Sequence, residues 1–253
     1  MALRDMSAED KQSLIQHFEE LRKSILYSVV AIIIAAIASF SYSEQILALI
    51  VSPLRIVNPS LKLIVTGVTE AFFVKLQLSF LAGFIIAFPV VAWSLWRFIK
   101  PALHDHERRY FYVLFPATLL LFGGGVLFAY FGIMPLVLKF FVYIAGQNLE
   151  TMFKVDQYVS FVMSFTLPFG LVFEMPVVAF FLAKLGIIKY AWMAKHRKHA
   201  LLVIVIVAAA LTPGPDPFSQ LMMAGPMFLL YEISIWVTKF SERNRNAKPV
   251  LEQ

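Results

Sequence analysis

Three glutamates sit where a carboxylate is conspicuous. In "GLVFEMPVV" (170–178) Glu174 lies inside a long apolar run with no lysine, arginine or histidine near it. A carboxylate at mid-membrane costs about 2.5–3.5 kcal/mol on insertion scales, so this one demands a proton, water or a polar partner, and the spans offer only weak ones such as Ser164 and Thr166. A lone intramembrane acid is also what a proton relay looks like. Glu20 and Glu107 stand instead in polar flanks. Glu20 shares the polar face of an N-terminal helical pattern with His17 and Ser24, where Glu19 and Lys23 form an i,i+4 pair worth about 0.3–0.5 kcal/mol. Glu107 belongs to "LHDHERRY" (103–110), in which Asp105 suits a helix cap and Glu107 is favoured by the positive end of the helix dipole. The residues alone leave two readings open for these acids: solvated surface, or anions placed on purpose in a basic neighbourhood.

Other chemistries find no support. The four long apolar runs contain no histidine or aspartate, which removes the pairs an intramembrane protease would need. There is no phosphate-binding glycine loop of the Walker type, and Gly123-Gly124-Gly125 suits close helix packing better than a nucleotide. No cysteine is present, so disulfides and thiolate chemistry are excluded, and no cofactor motif appears. The chain reads as a docking surface, not an enzyme.

The elements that position these acids follow from composition. Of the 253 residues, 60% are hydrophobic and 15% charged, with a mean hydropathy of +0.76, which is more apolar than a water-soluble globule. A helix rising ~1.5 Å per residue needs ~20 apolar residues to cross a ~30 Å hydrocarbon layer. Residues 24–42, 78–96, 110–137 and 159–183 meet that length. Residues 200–211 are short, and 218–237 contain Gln220, Pro226 and Glu232, so this last pair is expected as two short helices that cross a thinned bilayer or dip in and return. Six crossings is the preferred count. Before the first crossing, Ser7 and Asp10 form a capping-box variant, and Leu14, Phe18, Leu21 and Ile25 follow at helical spacing. An amphipathic helix over 7–23 is expected there, within one membrane domain over 1–240, and 241–253 reads as a basic tail. Pro89, Pro116, Pro135, Pro168 and Pro176 fall within or beside the apolar runs, where each removes a backbone donor and favours a kink.

Charge sets the orientation. All but Arg55, Lys62, Lys75, Lys139 and Lys154 of the 22 lysines and arginines lie on one side of this topology, in both termini and the loops near residues 100 and 190. The positive-inside bias makes that side cytoplasmic. Glu20 and Glu107 are then on the cytoplasmic face. Glu174, ten residues before Lys184, is ~15 Å along its helix from that face, about half the hydrocarbon thickness. Laid against each other, the first and last three apolar runs show no repeat, which weighs against the runner-up reading, a proton-coupled secondary transporter.

The segments "HFEELRKSI" (17–25), "FIKPALHDHERR" (98–109), "AYF" with "MPL" (129–136), "SFVMSFTLPFGLVFEMP" (160–176), "LTPGPDPFSQ" (211–220) and "LLYEISI" (229–235) together resemble the TatC family, receptor subunits of the twin-arginine protein translocase. The resemblance runs from about residue 14 to 240 in order. It implies an all-α, glove-like concave bundle of six transmembrane helices in the bacterial cytoplasmic membrane, driven by the proton-motive force. The implied partners are twin-arginine signal peptides of folded cargo, the single-span subunits TatA and TatB, further TatC copies and membrane lipids, with no nucleic acid and no cofactor. It assigns Glu20 and Glu107, with Phe98, to the paired arginines, and places Thr212, Asp216 and Gln220 at the contact with the single-span subunits. It makes Glu174 a polar foothold for an inserted helix. The stretch 212–216 carries one residue more than the family's T-P-P-D turn, which shifts Asp216 relative to that pattern.

Overall fold

The computed structural model describes residues 8–59, 61–99, 108–145, 152–214 and 216–246, with side chains described over 18–59, 61–99, 112–144, 152–214 and 216–243. The chain folds as two compact units, Met1–Ser43 with Ser79–Leu119, and Glu44–Leu78 with Leu120–Gln253.

Helix α1 spans Ala8–Phe40 without a break. The polar N-terminal turns expected as an amphipathic helix over 7–23 thus run on into the first span from Ala8. No glycine or proline interrupts these 33 residues, so nothing stops the hydrogen-bond ladder between the polar turns and the apolar ones. In the first unit α1 runs antiparallel to the second half of α3, Glu70–Ile99. Ser24 Oγ donates to the Ser94 carbonyl at 2.9 Å, and a Cβ built on Gly83 would lie 2.6 Å from the Ala36 amide nitrogen. The glycine is what lets the backbones meet, as small residues do between membrane helices. Helix α4, Arg108–Leu127, joins the same unit through Trp96 Nε1, which donates to Thr118 Oγ1 at 3.3 Å, and through the edge-on rings of Trp93 and Phe115.

The second unit begins with a helix that hydropathy did not reveal, α2 at Ser43–Val57. Pro53 inside it has no N–H, so the Leu49 carbonyl lacks its donor one turn on. Tyr130 Oη donates to that carbonyl at 2.6 Å, and buried Tyr158 Oη donates to Ile50 O at 2.7 Å. Tyr130 lies in a π-helical turn, Phe128–Ile133, between α4 and α5 at Met134–Ala145. Strand β1, Lys62–Ile64, pairs in parallel with β2, Met152–Lys154. Glu70 closes this end: Oε2 accepts from the amides of Thr66 at 2.6 Å and Gly67 at 2.9 Å.

Helices α6, Val155–Val172, and α7, Met175–Lys184, form one interrupted span. After the short α8, Tyr190–Lys195, come α9, Arg197–Leu211, and α10, Pro217–Asn246. Of the last two helices, α9 is short as expected, its 15 residues giving ~22 Å. Helix α10 is not short: its 30 residues continue past the apolar window, because Ser234, Thr238 and Ser241 line a buried side at helical spacing and the polar turns stay packed. It packs chiefly on α7 and α9.

Among the described residues, five helical stretches, Phe18–Phe40, Glu70–Ile99, Tyr112–Ile144, Val155–Lys184 and Pro217–Arg243, are long and apolar enough to cross a membrane. With α9 between the last two, the molecule is an all-α membrane protein.

Only one glycine of the 123–125 triplet packs closely. A Cβ on Gly125 would collide with the Phe169 carbonyl, whereas Gly123 and Gly124 face open space. Gly125→Ala is expected to lower the melting temperature of the purified chain by the equivalent of about 1–3 kcal/mol, because backbone cannot yield to it. Gly123→Ala is expected to leave it unchanged or raised, since alanine is the better helix former by about 1 kcal/mol. Equal melting of the two variants would show that the α4–α6 approach does not depend on Gly125.

Candidate functional site

In the first unit, α1 and the end of α3 enclose a groove of about 780 Å³. Its mouth carries Glu20, Lys23, Arg97 and Phe98, and its body is lined by apolar and aromatic groups that include Tyr27 and Trp93. Helical periodicity explains the arrangement. Glu20, Ser24, Tyr27 and Ala31 follow at steps of three and four, so they share one stripe of α1, while Val90, Trp93, Ser94 and Arg97 make the facing stripe of α3. The Ser24 hydrogen bond to Ser94 ties the two stripes together at the level where polar lining gives way to apolar.

Glu20 is exposed and takes part in no ion pair among the described residues. Its neighbour Lys23 turns to Glu19 at 4.0 Å, the i,i+4 pair anticipated from sequence, at the outer limit of a contact and well solvated. The Glu20 carboxylate thus has free lone pairs at the mouth of an apolar trough. It suits a ligand with a planar cation joined to an apolar segment. A guanidinium supplies five donors in a fixed fork, which a carboxylate accepts in bidentate fashion; an ammonium lacks that geometry. Phe98, half-buried, is at the same mouth. Glu107 and Asp105 lie outside the described residues. The groove residues Tyr27, Trp93 and Arg97 were not singled out from sequence, although the stripe through Glu20 and Ser24, extended one turn, reaches Tyr27.

Glu174 lies in the second unit at the break between α6 and α7. Pro176, at the start of α7, has no amide to give the Val172 carbonyl, and the Glu174 amide bonds back only three residues, to Leu171 O at 3.1 Å. The ladder resumes with Val178 N to Glu174 O at 2.9 Å. The residue is half-buried, and its Oε1 is closed off from solvent. Of the two partners expected from sequence, Ser164 is committed elsewhere: its hydroxyl donates to the Ser160 carbonyl at 2.8 Å. Near the break, Phe128 packs against Phe169 and Phe173, the residue before Glu174.

The α9–α10 turn puts its polar groups to local use. Thr212 is buried and donates to Ala208 O at 3.0 Å. Asp216 caps α10, its Oδ1 accepting from the Ser219 amide at 2.7 Å with Pro217 at the first helical position, a preferred pairing of cap and proline. Gln220 Nε2 donates across to Val205 O at 3.1 Å, binding α10 to α9. The three residues brought together at this turn stabilise the two helix ends.

Known proteins resemble the chain over most of its length. Residues 16–226 match the family model of the Sec-independent protein translocase protein TatC. The TatC of Carboxydothermus hydrogenoformans is 42% identical over 233 residues, covering 92% of this chain and 95% of that protein. The TatC of Escherichia coli strain K12 is 36% identical over 236 residues, covering 93% and 91%. The crystal structure of a twin-arginine translocase receptor, TatC, superposes with a TM-score of 0.83 at 37% identity, covering 89% of this chain and 99% of that one.

Proposed function

The chain belongs to the TatC family of Sec-independent protein translocase proteins, and from that membership we propose that it is the receptor for twin-arginine signal peptides in a bacterial cytoplasmic membrane. The observation that carries this reading is the exposed, ion-pair-free Glu20 at the mouth of an apolar groove. The consecutive arginines of the peptide dock at that mouth, Glu20 taking one guanidinium and Glu107 the other, with Phe98 against the pair. Arg97 and Lys23 beside the acid repel stray cations, so that only a ligand offering bidentate donors displaces water there. Both termini lie in the cytoplasm, where most lysines and arginines fall. The chain then assembles with TatA and TatB, and with further copies of itself, to move folded cargo at the expense of the proton-motive force; a protein translocase component, it is not an enzyme.

The test is capture of a synthetic signal peptide by the purified chain. An Arg-Arg peptide is expected to crosslink to it, and its Lys-Lys twin to be largely ignored. Equal capture of both peptides returns the question to the proton-coupled carrier. A second expected result concerns assembly. Hydrogen bonds between membrane helices contribute about 0.6–2 kcal/mol, so Gln220→Leu should reduce copurification of TatA or TatB several-fold while leaving peptide capture intact. Loss of both activities together would trace to the broken bond between Gln220 and Val205, and thus to misfolding of α9 on α10.

A further inference from the structure

The loop between α7 and α9 is held in place with more care than a connection requires. The Tyr190 amide donates to Glu242 Oε1 at 2.8 Å, Tyr231 Oη donates to the Met193 carbonyl at 3.0 Å, and Arg197 forks onto Glu232, Nε to Oε1 at 2.7 Å and Nη2 to Oε2 at 3.1 Å. Met193 is buried in a small core with Ala179 and Ile235. Lys239 is engaged as well, its ammonium 5.3 Å from the centre of the Tyr190 ring. One side of the six-residue α8 is thus clamped to α10.

The other side presents apolar and cationic groups together. Trp192 is 58% exposed and Ile187 66% exposed. Lys189, Lys195 and Lys198 are exposed too, and none of the three forms an ion pair among the described residues. The Trp192 ring packs at 4.6 Å on His196, whose ring lies 5.5 Å from that of His199, so a short ladder of rings continues the tryptophan past the lysines. His196 Nδ1 is tied to the Trp192 carbonyl at 2.7 Å, which fixes the first step of that ladder. The segment joins the ends of two membrane helices, so it stands at the depth of the lipid headgroups, where tryptophan is favoured and lysine meets phosphate.

We propose that the rigid face formed by Ile187, Lys189, Trp192, Lys195 and Lys198 is a binding site for an anionic phospholipid of the adjacent leaflet. The lysines engage the headgroup phosphate, and Trp192 with Ile187 lies at the glycerol and acyl boundary. Charge complementarity selects this occupant: three exposed ammonium groups with no ion pair among the described residues lie within six positions of an exposed aromatic in sequence, with Arg197 excluded because Glu232 already satisfies its fork. The inference is independent of signal-peptide recognition.

The test uses the full chain purified in detergent, with melting followed as dioleoyl phosphatidylglycerol or dioleoyl phosphatidylcholine is added. The anionic lipid is expected to raise the melting temperature more than the zwitterionic one. The triple variant Lys189→Gln/Lys195→Gln/Lys198→Gln is expected to melt like the parent without lipid and to lose at least half of the difference between the two lipids. A control of equal charge change at the opposite end of the helices, Lys62→Gln/Lys139→Gln/Lys154→Gln, is expected to keep it. Glycerol phosphate, which has the headgroup phosphate without chains, is expected to produce no rise. A loop variant that retains the full lipid difference overturns the proposal, as does an equal loss in the control, which would make net charge the cause. So does a rise produced by glycerol phosphate alone, or a loop variant whose only change is a lower oligomeric mass, which would give the face to a second copy of the chain.

Discussion

Glu20→Ala is expected to weaken binding of an Arg-Arg signal peptide by about tenfold or more and to abolish the preference over Lys-Lys. Each charge-assisted hydrogen bond contributes ~1.5–3 kcal/mol, and about 1.4 kcal/mol is a factor of ten in affinity. Because Glu20 is exposed, screening takes part of that, and the loss should shrink as salt rises and the Debye length falls below ~8–10 Å. Glu20→Gln separates two contributions: it keeps a carbonyl acceptor but removes the charge and one acceptor oxygen, so it should fall between wild type and alanine. The reading fails if the alanine variant binds both peptides as the parent does, with its melting temperature unchanged. Glu107→Ala is expected to behave alike, and the double variant should lose less than the sum of the two single losses if both acids grip one pair of arginines.

Glu174→Ala is expected to stop most transport while leaving peptide binding untouched. An acid at a helix break inside a membrane span, with its Oε1 closed off from solvent, is a costly placement. Its use as a polar foothold for an inserted helix rests on hydrogen bonding, because a protonated or hydrated carboxyl donates and accepts without carrying full charge. Glu174→Gln preserves that capacity and should retain much of the transport of a folded reporter; Glu174→Ala removes it and should retain little. If both variants transport normally, the foothold is wrong. If both fail equally while peptide binding persists, the titrating proton itself is what matters, and the relay reading gains.

The membrane spans were legible because crossing is a matter of length and apolarity along a contiguous stretch, which 24–42, 78–96, 110–137 and 159–183 carry in themselves. Sidedness rests on the sequence alone, since lysines and arginines report on whole loops. The family motifs were legible too, and the match over residues 16–226 bears them out. Helix α2 was not, because a 15-residue helix that buries Ile50, Val51 and Leu54 has neither the length of a span nor a polar run to mark it, and the Leu49 carbonyl freed by Pro53 finds its donor in Tyr130, 81 residues away. Along α1 the hydrophobic pattern shifts at residue 24 as the environment changes, but the backbone runs on unbroken.

Which residues of a motif meet was decided by packing alone. Three consecutive glycines look alike in sequence, yet only Gly125 faces the Phe169 backbone, because a helix turns ~100° per residue and presents one of the three to its neighbour. Gln220 and Thr212 look like surface polar groups at the end of a short helix, and the fold spends their donors on Val205 and Ala208. The groove beside Glu20 depends on Ser24 meeting Ser94, 70 positions on, and on Gly83 admitting Ala36. Sequence determined which groups carry charge into or beside the membrane. Only the antiparallel approach of α1 and α3, set by side-chain size at the contact, decided that one of those carboxylates would stand at the mouth of an apolar groove.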